Sequence, residues 1–188
     1  MIPPIILSDT DDNLARCARA ISNGQLVAFP TETVYGLGGD ATSDIAVSSI
    51  FETKQRPNFN PLIVHVADTA TAKKIVQFNS RAEALADAFW PGPISLVLPR
   101  HKNCGLSLLV SAGLDSVAVR VPAHPLAQKL LTKVACPIAA PSANPSEEIS
   151  PTTALHVLDS FSVVSFSNNL LVLDGGACEV GLESSVID

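Results

Sequence analysis

Aromatic residues are scarce in this chain. They make up 5% of 188 residues, with one tryptophan and one tyrosine, too few for the stacking platform on which single-stranded nucleic acid is read. Positive charge is also short, with twelve Lys and Arg against eighteen Asp and Glu and a net charge of −6. No general field therefore draws a polyanion to the surface, and any RNA contact has to be local. No apolar run approaches the roughly 20 residues of a membrane-spanning helix. The opening stretch MIPPIILSDTDD lacks the basic flank and small-residue cleavage site of an export signal. Four cysteines, Cys17, Cys104, Cys136 and Cys178, form no C-x-x-C pair and have no histidine at zinc spacing, which reads as free thiols in a reducing compartment. A soluble cytoplasmic protein is the expectation. Aliphatic residues are plentiful: 47% of the chain is hydrophobic, rich in the branched residues that suit buried strands and sufficient for one domain over residues 1–188.

The pattern along the chain alternates strand and helix, with no internal repeat and no linker-like segment. From Asp11, the positions Leu14, Cys17, Ala18 and Ile21 share one helical face, and Gly24 is a natural stop. QLVAF reads as a strand, SDIAVSSIFETK as a helix capped by Ser43 or Asp44, and PLIVHV as a buried strand. ATAKKIVQF and SRAEALADAF are expected helices, ISLVLP and SVAVRVP strands, PLAQKLLTKV a helix, PIAA a short strand and TTALHVL a helix. The tail LLVLDGGACEVGLESSVID reads as two strands around a glycine turn. Several connections are too short for helical crossovers, so a mixed parallel and antiparallel sheet with flanking helices is expected. Ligands in such sheets bind at strand ends, where the glycine and proline clusters fall.

Four features carry chemistry. PTETVYGLGGD, residues 30–40, places Thr31 and Thr33 after a buried strand, with Gly36, Gly38 and Gly39 free to let backbone approach a ligand. It has no lysine after the glycines and is not a phosphate-binding P-loop; a tight strand-to-helix turn with no ligand is the competing reading. In KQRPNFNPLIVHV, Lys54 and Arg56 close a helix, where positive charge complements the dipole. Set beside Asn58 and Asn60 in a proline-stiffened loop, the pair also suits a polyphosphate. His65 lies mid-strand, where histidines are usually core residues. Arg120 interrupts the apolar run VAVRVP and needs a buried partner, either an internal carboxylate or a ligand. Finally, APSANPSEEISPTTA gathers Ser142, Asn144, Ser146 and Ser150, and Ser150–Pro151 has the form of a helix start, a common phosphate site.

FPTETVYGLGGDA, KQRPNFNPLIVHV, WPGPISLVL, VAVRVPAHP, APSAN…SPT and LDGG…GLESSVID occur in the order typical of the Sua5/YciO/YrdC family, and the chain resembles that family from about Gly24 to Asp188. The resemblance implies a twisted α/β sheet with a concave ligand-binding face. It also implies an activity: L-threonine, bicarbonate and ATP, with Mg2+, give threonylcarbamoyl-AMP and pyrophosphate for the N6-threonylcarbamoyl modification of adenosine 37 in tRNA. The partners it suggests are tRNA or a downstream threonylcarbamoyl transferase complex. Carried over by motif, the catalytic signatures K-x-R and S-x-N fall on Lys54, Arg56, Ser142 and Asn144. Thr33, His65, Arg120, Ala140 and Ser184 match positions around threonine. Arg56, Asn60, Ser116, Ser142 and Ser150 match positions around ATP, and no residue is carried over as a metal ligand.

Two residues depart from the family's pattern. Glu147 stands where S-A-N-x-S-G has glycine, with Glu148 beside it near the presumed phosphates, and ESTV appears as ESSV. The resemblance carries the further expectation of the short, YrdC-like form. Two rival readings are a double-stranded-RNA-binding or tRNA-binding module, which the acidity disfavours, and a YciO-like relative with different nucleotide-dependent activity, which Glu147 favours.

Overall fold

A buried strand with three glycines lies at the centre of the molecule, and this overturns the reading of residues 30–40 as a ligand loop throughout. The computed structural model describes residues 4–57, 59–162 and 170–188. Within PTETVYGLGGD, only residues 30–35 are loop; Gly36–Asp40 is a strand, β3. None of its glycines has a positive φ. They are needed for space: a Cβ on Gly38 would lie 2.7 Å from the Phe29 ring and 2.8 Å from Ile138, closer than packed side chains tolerate.

Nine strands among the described residues form one sheet. They are β1 (Ile5–Leu7), β2 (Val27–Phe29), β3, β4 (Ile63–His65), β5 (Ile94–Pro99), β6 (Ser116–Arg120), β7 (Ile138–Ala139), β8 (Leu171–Leu173) and β9 (Ser185–Ile187). Their order is β1-β8-β2-β3-β7-β4-β6-β5-β9. β4 and β6 run parallel, with His65 opposite Arg120, whereas β7 runs antiparallel to β3 and β4. The mixed sheet is as expected. β1 was not foreseen, and the tail is not a hairpin: β8 pairs with β1 and β2, whereas β9 forms the far edge beside β5.

Six α-helices among the described residues flank the sheet: α1 (Asp11–Ser22), α2 (Asp44–Lys54), α3 (Thr69–Ile75), α4 (Ser80–Phe89), α5 (Pro125–Val134) and α6 (Ala154–Ser160). α1 buries Leu14, Cys17, Ala18 and Ile21, and its chain turns away at Gly24, φ 77°. Strand pleating divides the core. Val27 and Phe29 of β2 join Leu171 and Leu173 of β8 against α1 and α5, while Ala28 and Val172 face α6 with Tyr35 and Phe161, as period-two alternation demands. α2, α3 and α4 cover β4, β5 and β6. Ser43 caps α2 by accepting from the Ala46 N–H. Ser150 does not cap α6. Thr153 does, accepting from the His156 N–H, because the chain stays irregular for two residues after Pro151.

Candidate active site

The middle strands present their ends to a small cavity of about 60 Å3. Thr33, His65, Arg120, Ala140 and Ser184, separated by up to 151 positions in the chain, all line it, together with Ser142. Its volume is far below the roughly 300 Å3 at which pockets for drug-sized ligands begin, and suits an amino acid rather than a nucleotide. Gly36 and Ala140 form its small-residue wall, since a Cβ on Gly36 would stand 3.3 Å from that of Ala140.

The loop 31–35 is fixed by hydroxyls. Thr31 Oγ1 accepts from the Thr33 and Val34 N–H groups and donates to the Val34 carbonyl at 2.7 Å. Its single proton is thereby used, so the 2.8 Å contact with Thr33 Oγ1 has Thr33 as donor. Thr33 in turn accepts from Arg120 Nη1 at 3.0 Å.

Arg120 has the buried carboxylate partner that its position required. Its Nη2 donates to Glu32 Oε1 at 2.6 Å and its Nε to the Gly92 carbonyl at 3.1 Å. Glu32 Oε2 accepts from the Ala123 N–H at 3.0 Å. The two side chains are 4% and 7% exposed, so the pair works at low dielectric. Three of the five guanidinium N–H groups are spent on these partners, and one on each Nη is left for a ligand carboxylate. Glu32, the acid in PTET, was missed in the sequence although it is the only carboxylate in the opening loop. Internal partner and cavity lining coexist at Arg120.

His65 packs edge-on against Phe29. Burial first, and then the Arg120 charge, push its pKa down to about 3, although the carbonyls of Ile63 and Ile138 oppose the shift. Among the described residues, no hydrogen bond of good geometry reaches Nδ1. The ring is neutral at physiological pH. Ser184 Oγ lies 2.9 Å from Ser95 Oγ, which ties the cavity lip to β5. Beside it, Glu183 also lines the cavity and accepts a hydrogen bond from Ser150 Oγ, which holds its carboxyl below the usual range. Glu183 lay inside the ESSV motif, but only its serine neighbour was singled out.

The K-x-R and S-x-N residues sit behind and beside this cavity. Lys54 is 1% exposed, and its Nζ donates to the Ser142 carbonyl at 2.7 Å and to the Asn144 carbonyl. Burial, with Arg56 adding to it and Glu148 opposing, lowers its pKa to about 7. Arg56 is half-buried, and its Nε and Nη2 donate to the Asn60 and Pro61 carbonyls at 3.3 and 3.2 Å; burial lowers its pKa. Asn144 Nδ2 donates to the Glu148 carbonyl at 2.8 Å. Asn58 lies outside the described residues. Of the residues implied for ATP, Ser142 lines the small cavity, Ser150 reaches its mouth through Glu183, and Arg56 and Asn60 belong to the loop entering β4. Ser116 opens β6, about 13 Å along the strand from Arg120. Glu147 has φ 69°, a left-handed backbone that explains physically why glycine suits this position.

Residues 19–188 match the Sua5/YciO/YrdC family, described as telomere recombination. The chain is similar to the threonylcarbamoyl-AMP synthase of Pyrococcus abyssi, with 48% identity over 169 residues, covering 89% of this chain and 48% of that protein. It is 38% identical over 150 residues to that of Vibrio vulnificus, covering 78% of this chain and 80% of the relative. The crystal structure of P. abyssi Sua5 complexed with L-threonine superposes with a TM-score of 0.89 at 44% identity, over 98% of this chain and 53% of that one. The chain thus spans about half the length of the Pyrococcus relative. Among the described residues, no helix is long and apolar enough to cross a membrane. Six ordered motifs, the mixed sheet and the family match over nearly the whole chain agree: this protein belongs to the Sua5/YciO/YrdC family.

Proposed function

We propose that the protein is a threonylcarbamoyl-AMP synthase, consuming L-threonine, bicarbonate and ATP. The observation that carries this reading is the convergence of Thr33, His65, Arg120, Ala140 and Ser184 on one amino-acid-sized cavity, joined by the names of the relatives. In this reading the two N–H groups left on Arg120 take the threonine carboxylate, and the Gly36–Ala140 wall admits its methyl group. The amine adds to carbon dioxide derived from bicarbonate and, with loss of a proton, becomes a carbamate. A carbamate oxygen then forms a bond to the α-phosphorus as the bond to the bridging oxygen breaks, and pyrophosphate leaves. No protein nucleophile is needed; the chain supplies positioning and charge.

Mg2+ would neutralise the triphosphate. The described residues contain no cluster of three His, Cys, Asp or Glu side chains that could hold a metal, so the donor set fits an ion arriving on the phosphates, as Mg2+ commonly does. Of the K-x-R pair, half-buried Arg56 rather than buried Lys54 is open to that anion. We assign residues 1–188 to one domain and the reaction to the cytoplasm, its product passing to a transferase that acts on tRNA. Incubation with ATP, bicarbonate and labelled threonine should yield labelled threonylcarbamoyl-AMP and one pyrophosphate per product. Pyrophosphate release that does not depend on threonine would reject the assignment.

A further inference from the structure

The segment 141–151 holds a conformation it would not choose alone. Glu147 sits in left-handed backbone at φ 69°, unfavourable for any residue with a side chain. Asn144 Oδ1 and Ser146 Oγ are buried without a hydrogen-bond partner among the described residues, and a loop free to relax would turn such groups to water. Strain and orphaned polar atoms persist only where the surroundings over-determine the structure.

The two ends of the segment are tied to backbone. Leu37 N–H donates to the Pro141 carbonyl, Ala143 N–H to the Tyr35 carbonyl and Tyr35 N–H to the Pro151 carbonyl. Between these points, three hydrogen bonds come from one residue. Lys54 Nζ donates to the Ser142 and Asn144 carbonyls, and the Lys54 carbonyl accepts from the Ser146 N–H at 2.9 Å. Lys54 ends α2, and Gln55 turns the chain away in left-handed backbone at φ 51°, which leaves Lys54 facing inward and Arg56 outward.

We propose that Lys54 is a positioning residue: its buried amino group, clamped between the carbonyls of Ser142 and Asn144, fixes the S-x-N loop for the nucleotide and does not grip the triphosphate itself. A group 1% exposed with two donors committed to carbonyls is poorly placed to meet a phosphate chain arriving from solvent. Arg56, half-buried and bonded among the described residues to carbonyls at 3.2 and 3.3 Å, can exchange those bonds for phosphate oxygens. The K-x-R pair thus divides its labour, one cation holding the loop and the other meeting the ligand. The proposal deepens the adenylate-forming reading and rests on it only in naming the nucleotide.

The test compares wild type with Lys54→Met, which keeps volume and removes the donors. Without nucleotide, amide exchange in residues 142–148 should accelerate about tenfold or more while α1 and α5 stay unchanged, because the opening is local. In calorimetric titrations at low and high salt, Lys54→Met should weaken ATP about tenfold and keep the wild-type salt dependence, whereas Arg56→Met should flatten it, as loss of a direct charge contact does. Unchanged exchange in 142–148, or loss of salt dependence with exchange unchanged, overturns the proposal. Should Lys54→Met fail to fold, Lys54→Gln keeps an uncharged NH2 on a shorter side chain and should show intermediate exchange; wild-type exchange in it is equally fatal. A wild type that binds ATP and meets these outcomes but makes no threonylcarbamoyl-AMP sinks the proposed reaction and leaves the clamp standing.

Discussion

Glu32→Gln is the sharpest test of how the cavity is built. The substitution keeps the shape and removes one charge, which leaves the Arg120 guanidinium, 3% exposed, without its counter-ion. Breaking one side of a buried pair typically costs about 3–5 kcal/mol. A second loss accompanies it, because the carboxylate serves two donors, Arg120 Nη2 and the Ala123 N–H. An amide has one oxygen, so one of these donors must face its NH2 group and go unpaired, at about 1–3 kcal/mol. The two costs overlap, and about 4 kcal/mol is the expected total, which for a chain of this size lowers Tm by roughly 8–16 °C. Thermal unfolding followed by circular dichroism, with urea titration at fixed pH, measures it. The double variant Glu32→Gln/Arg120→Met removes the stranded charge and should regain more than half of the loss, giving a coupling of at least about 2 kcal/mol in the cycle. A Tm change below about 3 °C for Glu32→Gln, or strictly additive effects, would mean that Arg120 is stabilised by something other than Glu32.

The remaining predictions concern the cavity and its adjoining loop. His65 is held neutral with a pKa of about 3 against an ordinary 6.5, so the unfolded chain gains a proton below pH 6.5 that the folded one refuses. Its contribution to stability is full above pH 6.5 and falls by roughly 1.4 kcal/mol per unit towards pH 3; His65→Leu should flatten that limb in unfolding measured from pH 7 to 4, and an unaltered slope refutes the assignment. Ala140→Val crowds the wall opposite Gly36 and should depress product formation with threonine more than with serine. Wild-type enzyme should discriminate more strongly against valine than serine, since a lost hydroxyl outweighs a lost methyl; valine used as well as threonine would remove the pocket assignment. Glu147→Gly relieves the left-handed residue and should raise stability by up to about 1 kcal/mol. It should also tighten ATP binding modestly, with a gain that shrinks as salt rises; an unchanged Tm with unchanged ATP affinity would show that neither strain nor charge matters there.

Most of the element order was legible because local rules wrote it. The apolar face of α1, the Ser43 cap and the alternation of SVAVRVP each depend on neighbours a few residues away. The errors arose where tertiary space decided. Gly36, Gly38 and Gly39 resemble a flexible ligand loop in one dimension, and only pairing with β2 and β7 makes them a strand. Ser150–Pro151 has every local mark of a helix start, yet the Ser150 hydroxyl is drawn to Glu183 across 33 positions. Arg120 announced that it needed a partner, but its separation from Glu32 by 88 positions hid which one. Lys54 was legible as a functional lysine and illegible as a buried one, since burial depends on where the S-x-N loop folds back.

The walls of the cavity come from residues 31–36, 63–65, 120, 140–142 and 183–184, so no contiguous half of the chain contains the site. Its last wall is joined to β9, whose place at the sheet edge is given by β5 rather than by its own neighbours. During synthesis the first threonine of the site would emerge roughly 8–30 s before the last serine, at about 5–20 residues per second. Once residue 120 has emerged, roughly 3–13 s before the last serine at the same rate, the Arg120–Glu32 pair can close, because both partners precede residue 121. The nascent protein would therefore acquire a finished electrostatic floor well before it acquires a cavity able to hold a ligand.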